Sequence, residues 1–126
     1  MPFIHIKSLP FEKPKNITKI LGKINRDFAA QTGVPLEHMH STWEYFQPGH
    51  YAKGELAPEF QPAAPHSVLV ELLTPDFNKG GMVQKMLQVL AASLAVHAEI
   101  PLRKIFILHQ QASSGMVFDD GEVVYW

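Results

Sequence analysis

The chain has 126 residues, a formal net charge of -1 with neutral histidines, and 46% hydrophobic residues. That hydrophobic share supports a sizeable core and argues against disorder, while the near-balanced charge excludes the basic footprint of a nucleic-acid binder and gives no pull toward an anionic membrane surface. Without cysteine there is no disulfide framework, thiolate nucleophile or zinc–thiolate site, and without an apolar run long enough to span a bilayer the expectation is a cytoplasmic protein with no membrane partner.

Residues 3–6, Phe-Ile-His-Ile, are apolar and β-prone and predict a short buried strand. Residues 8–14 form a connection punctuated by Pro10 and Pro14. From about 15 to 31 the apolar positions Ile17, Ile20, Leu21, Ile24 and Phe28 lie on one helical stripe. Gly33 supplies the stop, since glycine takes a positive φ freely. A second strand is expected over 38–46. Its alternation places Met39, Ser41, Trp43 and Tyr45 on one face and His38, His40, Thr42 and Glu44 on the other.

Residues 47–65 hold four prolines and two glycines and read as a long joint. Residues 68–73 are a near-continuous apolar run, the pattern of a central strand covered on both faces. Gly80-Gly81 lacks the lysine and hydroxyl of a phosphate loop, so it is read as the start of a second helix over about 82–97. Its stripe is Val83, Met86, Leu87, Leu90 and Leu94. A fourth strand is expected over 104–108. A hairpin over 116–126 turns at Asp119-Asp120-Gly121.

These elements repeat at an offset of 66 residues. Ile17, Ile20, Leu21, Ile24 and Phe28 fall on Val83, Met86, Leu87, Leu90 and Leu94, and Val34-Pro35-Leu36 falls on Ile100-Pro101-Leu102. The fold class is therefore α/β (α+β), in one domain. It has two tandem β-α-β units, about 2–46 and 68–112, and a C-terminal hairpin. Each unit makes a parallel strand pair with a right-handed crossover. Side by side they give a four-stranded sheet with both helices on one face. The other face is left to be covered by self-association.

The order of elements, the repeat and Pro2 directly after Met1 resemble the tautomerase superfamily of 4-oxalocrotonate tautomerase and macrophage migration inhibitory factor. The first unit resembles the former without gaps, through the strand after Pro2, the helix stripe, Pro35-Leu36 and Gly49-His50-Tyr51. The two-unit length, Gln31-Thr32-Gly33 and Lys104-Ile105-Phe106-Ile107 resemble the latter. The Tyr45-Phe46 strand end and the C-terminal Asp-Gly turn resemble an uncharacterised bacterial branch.

The resemblance implies a homotrimer and a catalytic Pro2. After removal of Met1, the proline amine would take a proton α to a carbonyl and return it elsewhere on the enol. An α-amino group titrates near pH 8, and an apolar pocket favours its neutral form, as a general base requires. No cofactor or metal is implied. The substrate would be a small enolisable carbonyl compound in a pocket between subunits. The positions of the two assisting arginines hold Glu12, then His40 in unit one and Phe106 in unit two. The active-site phenylalanine position holds Tyr51. The lysine, tyrosine and asparagine of migration inhibitory factor correspond to Val34, Phe106 and Leu108. In two-unit relatives the pocket partner comes from the second unit of a neighbouring subunit, which favours Phe106 over His40 beside Pro2.

The substrate-site candidates are thus Phe106 and Leu108 as apolar wall, with Tyr51, Lys7 and His40 as polar contacts; Arg103 and His109 are further polar residues. His38-x-His40 has metal-ligand spacing but no third ligand, so structural histidines are the simpler reading. Trp43, Tyr45, Phe46 and Trp126 fit a pocket lining or a subunit seam, the seam being preferred because aromatics are enriched there. Two other readings stay open. One is a non-enzymatic homotrimeric binding module that kept the fold. The other is a ferredoxin-like regulatory module with a different strand order.

Overall fold

The computed structural model describes residues 2–61 and 66–126; Met1 and residues 62–65, the end of the proline-rich joint, lie outside the described residues. Strand β1 (Phe3–Ser8) turns Ile4, Ile6 and Ser8 inward and Phe3, His5 and Lys7 outward. Helix α1 (Ile17–Thr32) starts where the Asn16 side chain accepts from the Lys19 N–H at 3.1 Å, satisfying a donor that the helix itself cannot. It buries Ile20, Ile24 and Phe28, and ends at Gly33 with φ 80°.

A 3-10 turn, Leu36–His38, then leads into β2 (His40–Tyr45). Pro35, at φ -58°, enters this turn, and its carbonyl accepts from the His38 N–H at 3.0 Å. The strand therefore begins at His40, two residues later than the alternation suggested. His38 belongs to the turn and not to a shared strand face with His40.

The second unit follows the same course. Strand β3 (Val68–Pro75) leads to α2 (Gly80–Ala98), a 3-10 turn over Leu102–Lys104 entered by Pro101, and β4 (Ile105–Ala112). Helix α2 starts two residues before the expected Met82, and β4 starts at Ile105, because the turn holds Lys104. The strand then runs to Ala112, beyond the expected 108. Even the left-handed cap recurs at the offset: Gly33 in one unit, Glu99 at φ 56° in the other.

The sheet order is β2-β1-β3-β4, parallel within each unit and antiparallel at the central β1–β3 pair. Ile4, Ile6, Val68, Val70 and Leu72 pack against Ile24, Phe28, Met86, Leu90 and Leu94 in one core. Each such side chain contributes about 1.5–3 kcal/mol of burial. The opposite face is open in the single chain. Leu69 and Leu73 are partly exposed there and Glu71 is exposed, so within the single chain β3 is covered on one face, both helices lying on the same side.

Strands β5 (Val117–Asp119) and β6 (Glu122–Val124) form the C-terminal hairpin. Asp120 and Gly121 both take positive φ, 51° and 84°, as a type I′ turn requires. Among the described residues, no helix is long and apolar enough to cross a membrane.

Candidate active site

Pro2 is buried at the head of β1. Its carbonyl accepts from the His40 N–H at 3.1 Å, which locks the Phe3–His40 register of the parallel pair. It lines a cavity of about 300 Å³ at one end of the sheet. Three parts of the chain complete the walls. The end of α1 and the segment after it bring Thr32, Gly33, Val34, Pro35 and His38. The β3–α2 loop brings Pro75, Phe77 and Asn78. Helix α2 brings Met86.

The loop is held in place from two sides. The Asn78 amide donates to the Pro75 carbonyl at 3.0 Å. The C-terminal hairpin docks Trp126 edge-on against Phe77, 6.1 Å between ring centroids, and the indole N–H donates to Asp76 Oδ1 at 2.8 Å. Trp126 is thus a prop for a wall of the Pro2 cavity. Trp43 likewise turns to the helix side, partly buried against the core, with its indole N–H donating to Ser8 Oγ at 3.0 Å. Within the chain Trp43 thus has a place in the core, while Trp126 keeps an exposed surface beside its contact on Phe77.

The other site candidates lie elsewhere. Lys7, Phe106 and Leu108 share a depression of about 220 Å³ on the open face, with His5, Phe46 and Glu71. Within it His5 bonds Thr42, and its Nε2 meets Glu44 Oε2 at 2.9 Å. His40 stacks on Phe3, 6.0 Å between centroids and 9° between planes. Tyr51 packs between Phe46 and His66, at 5.2 and 4.6 Å. Arg103 is exposed in its turn. His109 faces the helix side, where its Nε2 pairs with Thr74 Oγ1 at 2.8 Å and desolvation holds its pKa below the usual imidazole value. One chain therefore gathers Lys7, Phe106 and Leu108 in one place and Pro2 in another.

Sequence reasoning left out Phe77, Asn78, Met86 and the placement of His38. The repeat carried a signal for the first: Phe77 falls on Phe11 at the 66-residue offset. Phe11 indeed lines a second cavity with Val68, Ile100, Pro101 and Lys104. These are the offset partners of Pro2, Val34, Pro35 and His38. The two cavities are equivalent places in the two units.

A groove of about 640 Å³ between the helices holds Asp27, Ser93 and His97. Asp27 Oδ2 accepts from Ser93 Oγ at 2.7 Å and pairs with His97 Nε2 at 2.8 Å. The hydroxyl donates to the carboxylate, and His97 meets that same carboxylate oxygen and not the hydroxyl, so the trio is a clasp between helices and not a nucleophilic triad. The Ser93 hydrogen bond, with a smaller part from His97, holds the Asp27 carboxyl below its ordinary value against the opposing effect of burial. Among the described residues, no group of three or more metal-ligating side chains occurs.

No family model matches the sequence, and no curated protein does. Solved structures do match. Native fused 4-OT superposes with a TM-score of 0.79 at 12% identity, over 96% of this chain and 94% of that one. The F6 fused 4-OT asymmetric trimer gives 0.80 at 10%, over 96% and 94%. Malonate semialdehyde decarboxylase gives 0.67 at 14%, over 95% and 91%. The chain has the fold of the tautomerase superfamily.

Proposed function

We propose that the protein is a tautomerase-like enzyme in which Pro2, freed by removal of Met1, is the general base for keto–enol tautomerisation of a small carbonyl compound. The observation that carries this reading is the position of Pro2 in a cavity walled largely by Val34, Pro35, Phe77 and Met86. Such walls disfavour the ammonium form and favour a neutral amine, and a neutral amine has the lone pair that proton abstraction needs.

The working unit is a homotrimer, with the open sheet faces inside. Two fused 4-OT structures of this fold are described as trimers. The open face also leaves Phe106 and Leu108 at 56% and 49% exposure, apolar area that association would remove from water. In that assembly Phe106, Leu108 and Lys7 of one subunit complete the Pro2 cavity of the next. His40 and Tyr51 contribute from the periphery of the same face. A non-enzymatic binding trimer is the second reading. It is favoured by Glu12, and by His40 or Phe106, where the resemblance places arginines.

The test is covalent labelling. 2-Oxo-3-pentynoate inactivates Pt0534, a protein of the same fold. Its alkyne carbon β to the ketone accepts a neutral amine; the new N–C bond pushes the π pair toward the carbonyl, and the α carbon takes a proton. The reading predicts a single adduct per chain, mapped by peptide mass spectrometry to residue 2 of protein lacking Met1. Label spread over lysines, or no label at residue 2, would leave the binding module as the better account.

A further inference from the structure

We propose that His38 is the second catalytic residue of the Pro2 cavity, its imidazole N–H donating to the carbonyl oxygen of the substrate while Pro2 takes the α-proton. The inference rests on the proline reading above and adds a donor from the same subunit as Pro2.

The argument is one of donors. Abstraction of an α-proton builds negative charge on the carbonyl oxygen, and a donor placed there is worth a large part of the barrier. Among the described residues lining the cavity, three side chains carry N–H or O–H groups: Thr32, Asn78 and His38. The Thr32 hydroxyl donates to the Phe28 carbonyl at 2.7 Å. The Asn78 amide donates to the Pro75 carbonyl at 3.0 Å. The single O–H of Thr32 is thereby committed to backbone, as is one of the two amide hydrogens of Asn78, and neither group can pass a proton on as an imidazole can. His38 is the titratable side chain of the set, and its backbone is fixed by the 3-10 bond to Pro35. The other imidazole of the pair, His40, is turned away onto Phe3.

The step balances. The α C–H bond breaks and its electron pair becomes the enol C=C. The carbonyl π pair moves onto oxygen, which receives a proton from the His38 imidazolium and leaves it a neutral imidazole, and the α-proton resides on the Pro2 nitrogen. In the reverse direction imidazole takes the enol proton and the prolinium returns its proton to carbon. The cavity volume, about 300 Å³, is at the small end for ligand sites. With its apolar walls, it fits an enolisable ketone or aldehyde bearing one compact apolar substituent.

The experiment is ketonisation of phenylenolpyruvate, followed by ultraviolet absorbance, with Met1 removal verified by intact mass. Wild type is compared with Pro2→Ala, His38→Ala, His38→Gln and Lys104→Ala. His38→Ala is expected to lower kcat about 10²–10³-fold with a smaller change in KM. Added imidazole should restore part of that loss and none of the Pro2→Ala loss. His38→Gln, which keeps an N–H donor, should fall between. Lys104→Ala, the offset partner in the second cavity, should match wild type. Wild-type kcat/KM in His38→Ala, with Pro2→Ala inactive, would overturn the His38 assignment and leave the proline reading intact. A His38→Ala loss that imidazole does not relieve would also overturn it. Unchanged rates in Pro2→Ala would overturn both.

Discussion

The two cavities of this chain are built on one plan and differ in chemistry at a handful of positions. Each lies where a strand head, a 3-10 turn entered by proline and a phenylalanine from the other unit's strand–helix loop converge. In the first, the strand head is Pro2 and the turn ends in His38. In the second, these are Val68 and Lys104, with Lys15 and Glu99 also in the wall. Val68 is fully buried, and its nitrogen is a peptide amide with no basic lone pair. The first cavity measures about 300 Å³ and the second about 50 Å³. Duplicating the unit thus reproduces a frame. On the proposed reading, chemistry enters where removal of Met1 gives one copy a terminal amine with room beside it.

The comparison can be broken at the core. Met86 and Ile20 are offset partners, 2% and 6% exposed, and replacing either with alanine should cost about 2–5 kcal/mol in denaturant unfolding. Met86 lines the Pro2 cavity and Ile20 does not. Only Met86→Ala should therefore also shift KM for a substrate bound there. Equal kinetic effects from both would deny the difference between the cavities.

A smaller effect is expected at the prop. Trp126→Ala removes the edge contact on Phe77 and the bond to Asp76. It should lower kcat/KM about tenfold, the equivalent of ~1.4 kcal/mol. Phe11 has its own edge contacts, on Trp43 at 6.0 Å and Tyr45 at 6.3 Å, from within its own unit and not from the terminal hairpin.

The helix clasp joins offset partners directly, Asp27 to Ser93, 66 residues apart. Ser93→Ala should cost about 1 kcal/mol at neutral pH. Because Asp27 has a depressed carboxyl pKa in the folded chain, the stabilisation is present above the ordinary value of 3.8 and is lost as pH falls through the lower folded value. Urea midpoints of wild type and Ser93→Ala should therefore converge in acid. The smallest effect is at the caps. Glu99 holds at φ 56° the position that Gly33 holds at φ 80°, and Glu99→Gly should raise stability by about 0.5–1 kcal/mol. Gly33→Ala should lower it by about as much.

The fold was legible because its evidence is periodic. The stripe from Ile17 to Phe28 and its copy from Val83 to Leu94 identify two helices by spacing alone, and Asp120-Gly121 identifies the hairpin by turn chemistry. The strand starts were less legible. Pro35 and Pro101 each set a 3-10 turn, an i to i+3 feature too short to leave a period, so β2 and β4 begin later than alternation implies. Pro2 stood out through its place before a strand. Phe77, Asn78 and Met86 did not, because they reach the cavity through the sheet order, which brings the end of β3 beside the head of β1. His38 was legible as a residue but not in its direction, since one turn separates it from the strand face of His40. The Trp126 prop depends on where a terminal hairpin docks, and no local pattern encodes that.

The central claim is that the Pro2 nitrogen, in its own cavity, is the base. Its most direct test is the pH dependence of phenylenolpyruvate ketonisation by wild type and Pro2→Ala, each shown by intact mass to lack Met1. The account predicts a wild-type rate well above buffer, with one limb of its pH profile set by a group titrating at or below the ordinary α-amino range near pH 8. It also predicts a fall of about 10³-fold or more in Pro2→Ala. Equal rates in the two proteins, or none above buffer in either, would contradict it.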